Sequence, residues 1–434
     1  MQTLEQLQSG ELIGSTSLKL SCGLKLFPQE IFELADTLEI LDLSGNQLSQ
    51  LPDDFARLHK LKIVFFSDNP FTEFPAVLAQ CKELEMIGFK ANKISYIPEF
   101  SFPPKLRWLI LTNNQITQLP ASIGTCIHLQ KVMLAGNQLN QLPDEMALCR
   151  NIELLRISAN ALTYIPDWVL KLPRLSWLAI NGNPFSKYTN QNYPLTGISW
   201  NNLRTAEQLG EGASGIITKA YWQADEEKPV AIKVFKGEVT SDGLPEDEMH
   251  VCLSADLHPN LVKILGQITD HPDGKQGLVL DLIPPTFRNL GGPPSFKTCT
   301  RDVFADNTSF SITDIIRISS GIASAMDHLH SKGITHGDLY AHNILINEQA
   351  DALLGDFGAA SLYDIQSDHA AFIERIEVRA LGCLLEDLLD RVETNDRNHA
   401  LIENLTRVKD TCMQEEILSR PTFGEIVEVL SVKL

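Results

Sequence analysis

Hydrophobic and polar positions repeat along the first half of the chain with a period of 22 or 23 residues. Apolar residues alternate with polar ones, as at Leu38, Leu41 and Leu43, and an asparagine follows three residues later. Alternation of this kind predicts a short strand with one buried face. A proline lies six residues after each of the first six asparagines. The asparagines of the pattern are Asn46, Asn69, Asn92, Asn114, Asn137, Asn160 and Asn183.

One such unit, L-x-x-L-x-L-x-x-N-x-L-x-x-L-P, is too small to bury its own leucines, so we expect the units to stack into a curved solenoid. An asparagine that points inward can bond backbone groups of neighbouring units with its two N–H donors and its carbonyl oxygen. The proline starts the return segment, where a missing N–H does no harm. The unit resembles the leucine-rich repeat, over residues 15–187. A shorter unit at 18–28 predicts an N-terminal cap, and Asn-Pro-Phe at 183–185 predicts the end of the array.

The solvent-facing positions of the predicted strands are candidates for a binding surface. Their mixed charges and two tryptophans suit a protein ligand or substrate. A face that is merely solvated is the alternative for each of them. The candidates are Glu39, Asp42, Lys62, Glu85, Lys90, Arg107, Trp108, Lys131, Arg156 and Trp177.

The pattern changes after residue 187. A polar, turn-rich stretch at 188–202 predicts a linker. Strand-like runs such as 230–235 then come first, and helical periodicity dominates after about residue 310. The predicted fold class is therefore multidomain, with an N-terminal α/β repeat solenoid at 1–187 and a C-terminal α+β domain at 203–434.

A glycine-rich stretch opens the second domain, with Gly210, Gly212 and Gly215. Glycines at this spacing also occur in dinucleotide folds and in hairpin turns. A dinucleotide fold requires a helix directly after the glycines. A β-rich stretch follows here instead, and it reaches Lys233 in Ala-Ile-Lys.

The order of the later motifs resembles the protein kinase family. Glu248 lies in a predicted helix, and Asp338 and Asn343 stand five residues apart in ITHGDLYAHNILI. Asp356 follows in LLGDFG, thirteen residues after Asn343, and RPTF occupies 420–423. The resemblance covers the whole second domain and implies a bilobal, protein-kinase-like fold.

The resemblance implies a role for each motif residue in a reaction that depends mainly on positioning and charge neutralisation. Lys233 would pair with the α- and β-phosphates of ATP and be held by Glu248, with the neighbouring Glu246 and Asp247 as alternatives. Asp338 would accept the proton of the substrate hydroxyl.

Two further residues, Asn343 and Asp356, would bind Mg²⁺ that bridges the ATP phosphates. The glycines let the backbone approach the triphosphate closely. Apolar walls, a gatekeeper and a hinge would enclose the adenine, although core packing is an equally consistent role for the apolar residues. The implied ATP-binding residues are Leu209, Gly210, Gly212, Gly215, Ile217, Ala231, Lys233, Leu280, Asp281, Ile283 and Leu345.

The sequence departs from the family beside the catalytic aspartate. Gly337 replaces an arginine that normally grips a phosphate on the activation segment, so activation by phosphorylation of this segment is not expected to follow the usual route. Tyr340 stands where serine/threonine kinases usually carry lysine. His342 stands where tyrosine kinases carry arginine, and it would be cationic if its pKa is raised.

The segment from Asp356 to Glu377 is short and contains no Ala-Pro-Glu. The peptide-docking platform is therefore expected to be reduced. Arg420 would normally pair with the missing glutamate, and Glu374 or Glu377 could replace it. Candidate phosphosites within this segment are Ser361, Tyr363 and Ser367.

Composition narrows the functional classes. The formal net charge is −19, and 37 of the 55 acidic residues follow residue 187. This balance excludes a nucleic-acid surface, because phosphates require a basic footprint. No apolar run approaches the roughly 18 residues of a membrane span, and no secretory signal is visible.

Cysteine usage agrees with a reducing compartment. Three of the eight cysteines, Cys81, Cys126 and Cys149, recur at one position of the repeat. Equivalent positions of a solenoid face the same interior, so we interpret them as small core residues, with a disulfide framework as the alternative. The expected location is the cytoplasm.

Together these patterns predict an ATP-dependent protein kinase directed at serine and threonine, whose repeats bind a protein partner or substrate. One alternative is a scaffold that binds nucleotide and transfers little phosphate. A tyrosine-directed kinase and a small-molecule kinase are the others.

Overall fold

The computed structural model describes residues 2–186, 196–212, 214–223, 227–237, 239–240, 242–396 and 399–432. The chain divides into two compact units. The first comprises Met1–Leu172 and Asn183–Phe185, and the second comprises Pro173–Gly182 and Ser186–Leu434. Most of the predicted linker at 188–202 lies outside the described residues, and its last part forms a strand and a helical turn of the second unit.

The described part of the first unit is built around seven three-residue strands that run parallel, side by side. The central side chain of each strand is buried, and the strands align without offset, as Val132 aligns with Leu155. The elements are α1 (Leu4–Gln8), β1 (Ser17–Lys19), β2 (Ile40–Asp42), β3 (Ile63–Phe65), β4 (Met86–Gly88), β5 (Trp108–Ile110), β6 (Lys131–Met133), β7 (Leu154–Arg156) and α2 (Asp167–Leu170).

Short helical turns return the chain from one strand to the next. Prolines of the repeat occupy the N-cap of several of these turns, as Pro75, Pro120 and Pro143 do before 3₁₀ helices and Pro166 does before α2. Proline is tolerated there because the first N–H groups of a helix have no partner within it. The return segment predicted from the Leu-Pro step is therefore present.

Asparagine side chains join successive repeats. Nδ2 of Asn137 donates to the carbonyl oxygens of Leu111 and Leu134, both at 2.9 Å, and Oδ1 accepts the N–H of Ile116 at 3.1 Å. Each of the other six asparagines likewise donates to a carbonyl one repeat earlier and accepts an N–H from that repeat. The ladder satisfies backbone groups that would otherwise be buried without partners.

The three repeat cysteines are buried free thiols, as their shared position predicts. Burial raises the pKa of Cys81 and Cys126 to about 11 and that of Cys149 to about 12. They therefore pack as small apolar residues.

The candidate binding surface is only partly solvent-facing. The prediction is wrong for Arg156 and Trp177, since each is only 1% exposed. Among the other candidates, several charges already pair across neighbouring strands, as Lys62 does with Glu39 at 2.9 Å. Exposed pairs of this kind contribute little stability and are consistent with a solvated face.

A six-stranded sheet forms the first half of the second unit, in the order β10-β11-β12-β14-β13-β9. β10, β11 and β12 form an antiparallel meander of nine-residue strands, and Val230, Ile232 and Val279 are buried in its core. The elements are β8 (Trp177–Ala179), β9 (Gly197–Ser199), β10 (Leu203–Glu211), β11 (Gly215–Gln223), β12 (Glu227–Phe235), α3 (Pro245–Ser254), β13 (Ile264–Thr269) and β14 (Gly277–Asp281).

Helices dominate the second half of this unit, as predicted. Ser311 begins α4 with a capping box, in which its hydroxyl accepts the N–H of Asp314 and the Asp314 carboxylate accepts the N–H of Ser311. The elements are β15 (Arg288–Asn289), α4 (Ile312–Ser331), β16 (Ile334–Thr335), β17 (Ile344–Ile346), β18 (Ala352–Leu354), β19 (Ser361–Leu362), α5 (Ala370–Leu389), α6 (Ala400–Cys412) and α7 (Phe423–Val432).

The predicted fold class is confirmed, with a repeat solenoid followed by a domain whose strands precede its helices. Within the described ranges, no helix has both the length and the apolar character needed to cross a membrane.

The asparagine ladder generates a stability prediction. Asn137→Ala removes three buried hydrogen bonds, so it should lower the free energy of unfolding by about 1–3 kcal/mol. Asn140→Ala is the matched control, because Asn140 is exposed three residues away. Urea unfolding followed by circular dichroism measures both changes, and equal small effects would contradict the role of the ladder.

Candidate active site

Lys233 and Glu248 form an ion pair that is shielded from water. Nζ of Lys233, on β12, bonds Oε1 of Glu248, on α3. The lysine side chain is 12% exposed and the glutamate 3%. Burial lowers the pKa of Lys233, but the negative charges of Glu248 and Asp356 outweigh it and raise the pKa above its ordinary value. Lys233 is therefore held in its charged form.

The neighbouring acids of α3 point elsewhere. Oε1 of Glu246 accepts a hydrogen bond from Gln276 at 3.2 Å. Asp247 is partly buried, and this burial raises the pKa of its carboxyl to about 6. Of the three acids that the sequence leaves open, Glu248 is the one whose carboxylate reaches Lys233.

Asp356 lies on the other side of Lys233, with its Oδ1 3.7 Å from Nζ. Its backbone has a φ of 58°, in the left-handed region that aspartate tolerates better than most residues. The N–H of Gly358 donates to its Oδ1 at 3.3 Å. Its side chain is 56% exposed, so this carboxylate can bind a ligand.

Asp338 and Asn343 form a second polar pair. Nδ2 of Asn343 donates to Oδ2 of Asp338 at 2.8 Å and to its carbonyl oxygen at 3.0 Å. These two bonds fix the direction of the carboxylate relative to the backbone. The loop between them contains one helical turn, Ala341–Asn343, before β17.

Most of the implied ATP-binding residues line one cavity of about 480 Å³. Its walls include Leu209, Gly212, Gly215, Ile217, Ala231, Lys233, Leu280, Asp281, Ile283 and Leu345, together with Glu248, Asn343 and Asp356. Gly210 is not among the residues that line the cavity. Asp338 is not among them either, but its carboxylate accepts a hydrogen bond from Asn343, which does line the cavity.

Twelve residues of the cavity wall are not among the implied binding residues. Five of them nevertheless lie in stretches that the sequence singled out: Leu282 in the hinge, His342 four residues after Asp338, and Gly355, Phe357 and Gly358 in LLGDFG. The other seven, which the sequence did not indicate, are Ser214, Asp242, Cys252, Val262, Ile264, Leu278 and Asn289.

A buried aspartate holds His342. Nδ1 of His342 lies 2.7 Å from Oδ1 of Asp302, and its backbone N–H donates to Oδ2 at 3.1 Å. Burial lowers the pKa of His342, but the hydrogen bond and charge of Asp302, with smaller contributions from Asp338 and Asp356, raise it overall. The site therefore favours the imidazolium form at a position where tyrosine kinases carry arginine.

Glu377 anchors the backbone just before Asp338. Its carboxylate accepts the N–H groups of His336 and Gly337, and Nε2 of His330 lies 2.9 Å from Oε2. Burial raises the pKa of Glu377, but the neighbouring histidines and the N–H of Gly337 hold it below its ordinary value. The Glu377 carboxylate is thus charged, and both of its oxygens are bonded to residues close to Asp338 or to His330.

Arg420 does not pair with either predicted glutamate. It donates instead to the carbonyl oxygens of Gln414, Arg375 and Pro173. The predicted pairing with Glu374 or Glu377 is wrong, because Glu377 is bonded as described and Glu374 accepts the N–H of Phe423 at 2.8 Å.

The candidate phosphosites differ in access. Ser361 is fully buried, and its hydroxyl accepts the N–H of Ile180. The Tyr363 hydroxyl lies 2.8 Å from Nδ1 of His330, and burial raises its pKa. Tyr363 and Ser367 are both partly exposed, and the Ser367 hydroxyl donates to the carbonyl oxygen of Asp364 at 2.7 Å. Of the three candidates, Ser361 is therefore the inaccessible one.

The site also fits a nucleotide-bound magnesium ion. No cluster of three or more His, Cys, Asp or Glu side chains suited to a metal occurs among the residues that the structure describes. Mg²⁺ usually binds through one or two protein oxygens together with substrate phosphates and water. The carboxylate of Asp356 and the amide oxygen of Asn343, on one cavity wall, are donors of this kind.

Family models match both halves of the chain. The model for the protein kinase domain matches residues 203–380. Leucine-rich-repeat models match 127–185, 37–58 and 105–126.

Curated relatives include both classes of protein kinase. The chain is 26% identical over 223 residues to fibroblast growth factor receptor 1 of Pleurodeles waltl, covering 48% of this chain and 27% of the receptor. It is 29% identical over 177 residues to a probable serine/threonine-protein kinase of Dictyostelium discoideum, covering 40% of this chain and 10% of that protein. It is 25% identical over 203 residues to the tyrosine-protein kinase receptor TYRO3 of Danio rerio, covering 44% of this chain and 22% of that protein.

These matches span about a quarter or less of the relatives' own length. The family models and the polar groups around the cavity agree on the architecture. The chain carries leucine-rich repeats followed by a protein kinase domain, which matches the leucine-rich-repeat protein kinases.

Proposed function

We propose that this protein transfers the γ-phosphate of ATP to serine and threonine hydroxyls of proteins. The observation that carries the proposal is the convergence of Lys233, Asn343 and Asp356 on one cavity, beside Asp338. A cavity of about 480 Å³ is within the usual range for small-molecule sites. A solvated surface would not gather these charges.

Lys233 would bind the phosphates, because its ammonium is charged, buried and held in place by Glu248. The preorganised charge needs no rearrangement when a phosphate arrives. Gly212 and Gly215 line the same cavity, so their backbone can approach phosphate oxygens without interference from a Cβ. Asp281 and Ile283 lie on its wall and are proposed to meet the adenine edge with their backbone groups.

Asp338 would accept the proton of the attacking hydroxyl. A general base must be oriented before its pKa matters, and the two bonds from Asn343 orient this carboxylate. Bound Mg²⁺ would neutralise charge on the phosphates, with Asp356 and Asn343 as its protein ligands.

The choice of serine and threonine is supported by relatives named as probable serine/threonine kinases. Relatives named as tyrosine kinases are also present, so the choice needs its own test. The repeats are proposed to bind a protein partner or substrate, the usual role of such solenoids.

We place the protein in the cytoplasm. All eight cysteines are free thiols, and seven of them are buried. Thiols persist in reducing compartments, whereas secreted domains usually pair them.

Two substitutions test phosphoryl transfer. Lys233→Met and Asp338→Ala should each lower kcat by about 10²-fold or more, because each removes a charged group from the reaction centre. The measurement is incorporation of labelled phosphate from ATP and Mg²⁺ into a generic basic protein substrate. Lys219→Met, which removes a partly exposed lysine of the adjacent strand β11, and Asp368→Ala, which removes an exposed acid, are the matched controls.

Equal background incorporation in wild type and all four variants would contradict the enzyme. Binding of nucleotide without phosphate transfer would then favour the alternative of a nucleotide-binding scaffold. The departures from the kinase pattern at Gly337 and Tyr340 are the reason for considering this alternative.

Phosphoamino-acid analysis of the same reaction tests the substrate hydroxyl. We expect phosphoserine and phosphothreonine, and their loss in Asp338→Ala. Phosphotyrosine as the main product would overturn the serine/threonine assignment and leave the kinase assignment intact.

A further inference from the structure

Pro173–Gly182 belongs to the last repeat by sequence, yet this segment is part of the second unit. It contains β8, and Trp177 is the first residue of that strand. The predicted role of Trp177 as a solvent-facing residue of the repeats is wrong, because its side chain is 1% exposed.

Trp177 contacts the two residues that follow the catalytic aspartate. Its Nε1–H donates to the carbonyl oxygen of Leu339 at 2.9 Å. Its ring stacks on the ring of Tyr340, with centroids 4.3 Å apart and planes 8° apart. A hydrogen bond from the ring edge and a stack on the ring face therefore restrain the loop through one side chain.

Residue 337 has no room for a side chain. Gly337 has a φ of 73°, and a Cβ at this position would overlap the carbonyl oxygen of Ala359. It would also lie 3.0 Å from the carbonyl oxygen of Leu178, in the segment 173–182. The backbone conformation and the Ala359 carbonyl thus require glycine where the family has arginine, and the segment adds a second close contact.

Three further bonds fix the segment to the catalytic domain. Arg379, on α5, donates to the hydroxyl of Ser176 at 2.7 Å. Arg420 donates to the carbonyl oxygen of Pro173 at 2.7 Å. The N–H of Ile180 donates to the hydroxyl of Ser361 at 3.2 Å. The segment is therefore bonded at both of its ends as well as at Trp177.

We propose that Trp177 is a positioning residue for the phosphoryl transfer, holding the catalytic loop 338–343 in its working geometry through Leu339 and Tyr340. The inference rests on the proposed function. The contact orders this loop without a phosphorylated residue. In the family, the arginine that Gly337 replaces normally binds a phosphate on the activation segment for this purpose. Tyr340 serves as the surface for the tryptophan ring rather than as a phosphate ligand.

Two variants of the full chain test the inference. Trp177→Ala removes the hydrogen bond and the stack, whereas Trp177→Phe keeps an aromatic ring and removes the N–H. Trp168→Ala is the matched control, since Trp168 is a partly exposed tryptophan of α2. The readouts are kcat, KM for ATP, and deuterium uptake of peptides from the catalytic loop and from 203–235.

We expect Trp177→Ala to lower kcat by about 10²-fold, because small displacements of a catalytic group have effects of this size. Trp177→Phe should give an intermediate loss. KM for ATP and deuterium uptake at 203–235 should stay unchanged, while uptake at 336–346 rises. Trp168→Ala should match wild type in every readout.

An unchanged kcat in both folded Trp177 variants would overturn the inference. A parallel fall of kcat and ATP affinity, with raised uptake throughout the domain, would also overturn it by showing a general structural role. If Trp177→Ala does not fold, Trp177→Phe decides alone.

Failure of the proposed function would look different. Wild type would then transfer no phosphate, and deuterium uptake would decide whether Trp177 holds the loop. A rise in deuterium uptake of Trp177→Ala that is confined to residues 336–346 would show that Trp177 holds the loop. Unchanged uptake there would reject this role.

Discussion

The paired burial of Lys233 and Glu248 is the interaction on which the catalytic domain depends. A lone buried charge costs several kcal/mol, so each group requires the other. Because Lys233 lies on β12 and Glu248 on α3, their bond ties the sheet to the helix. Asp356, 3.7 Å from Lys233, brings the carboxylate that is proposed to bind Mg²⁺ to the same point. A domain rich in acidic residues thus keeps one fixed cation where nucleotide phosphates are proposed to bind.

Two departures from the kinase pattern, Gly337 and Tyr340, lie against Pro173–Gly182, at the Leu178 carbonyl and the Trp177 ring respectively. Arg420, whose usual glutamate partner is missing, donates to the Pro173 carbonyl of the same segment. Taken singly, each departure resembles a loss of function. Taken together, these three residues form the surface on which one segment packs. Packing and backbone bonds then hold the catalytic loop, and Glu377 accepts the N–H groups of His336 and Gly337.

Local patterns predicted the fold and much of the cavity because they report local constraints. The repeat period fixes where the asparagines stack, and the glycines and Lys233 occupy neighbouring strands whose pairing follows from sequence order. Contacts between distant residues left no periodic signal. Trp177 and Leu339 are 162 positions apart, and the strand pattern assigned Trp177 to solvent. The choice of Glu248 over Glu246 and Asp247 likewise depends on the rotation of α3, which sequence spacing leaves open by one residue.

Calorimetric titration of the full chain with ATP, with and without Mg²⁺, tests the central claim that Lys233, Asn343 and Asp356 converge on a nucleotide. Wild type is predicted to bind ATP more tightly with Mg²⁺, because Asp356 and Asn343 would hold the metal and its charge would offset that of the phosphates. Asp356→Asn should lose most of this Mg²⁺ effect, and Lys233→Met should weaken binding under both conditions. Absence of ATP binding by wild type, or binding that neither substitution changes, would contradict the account.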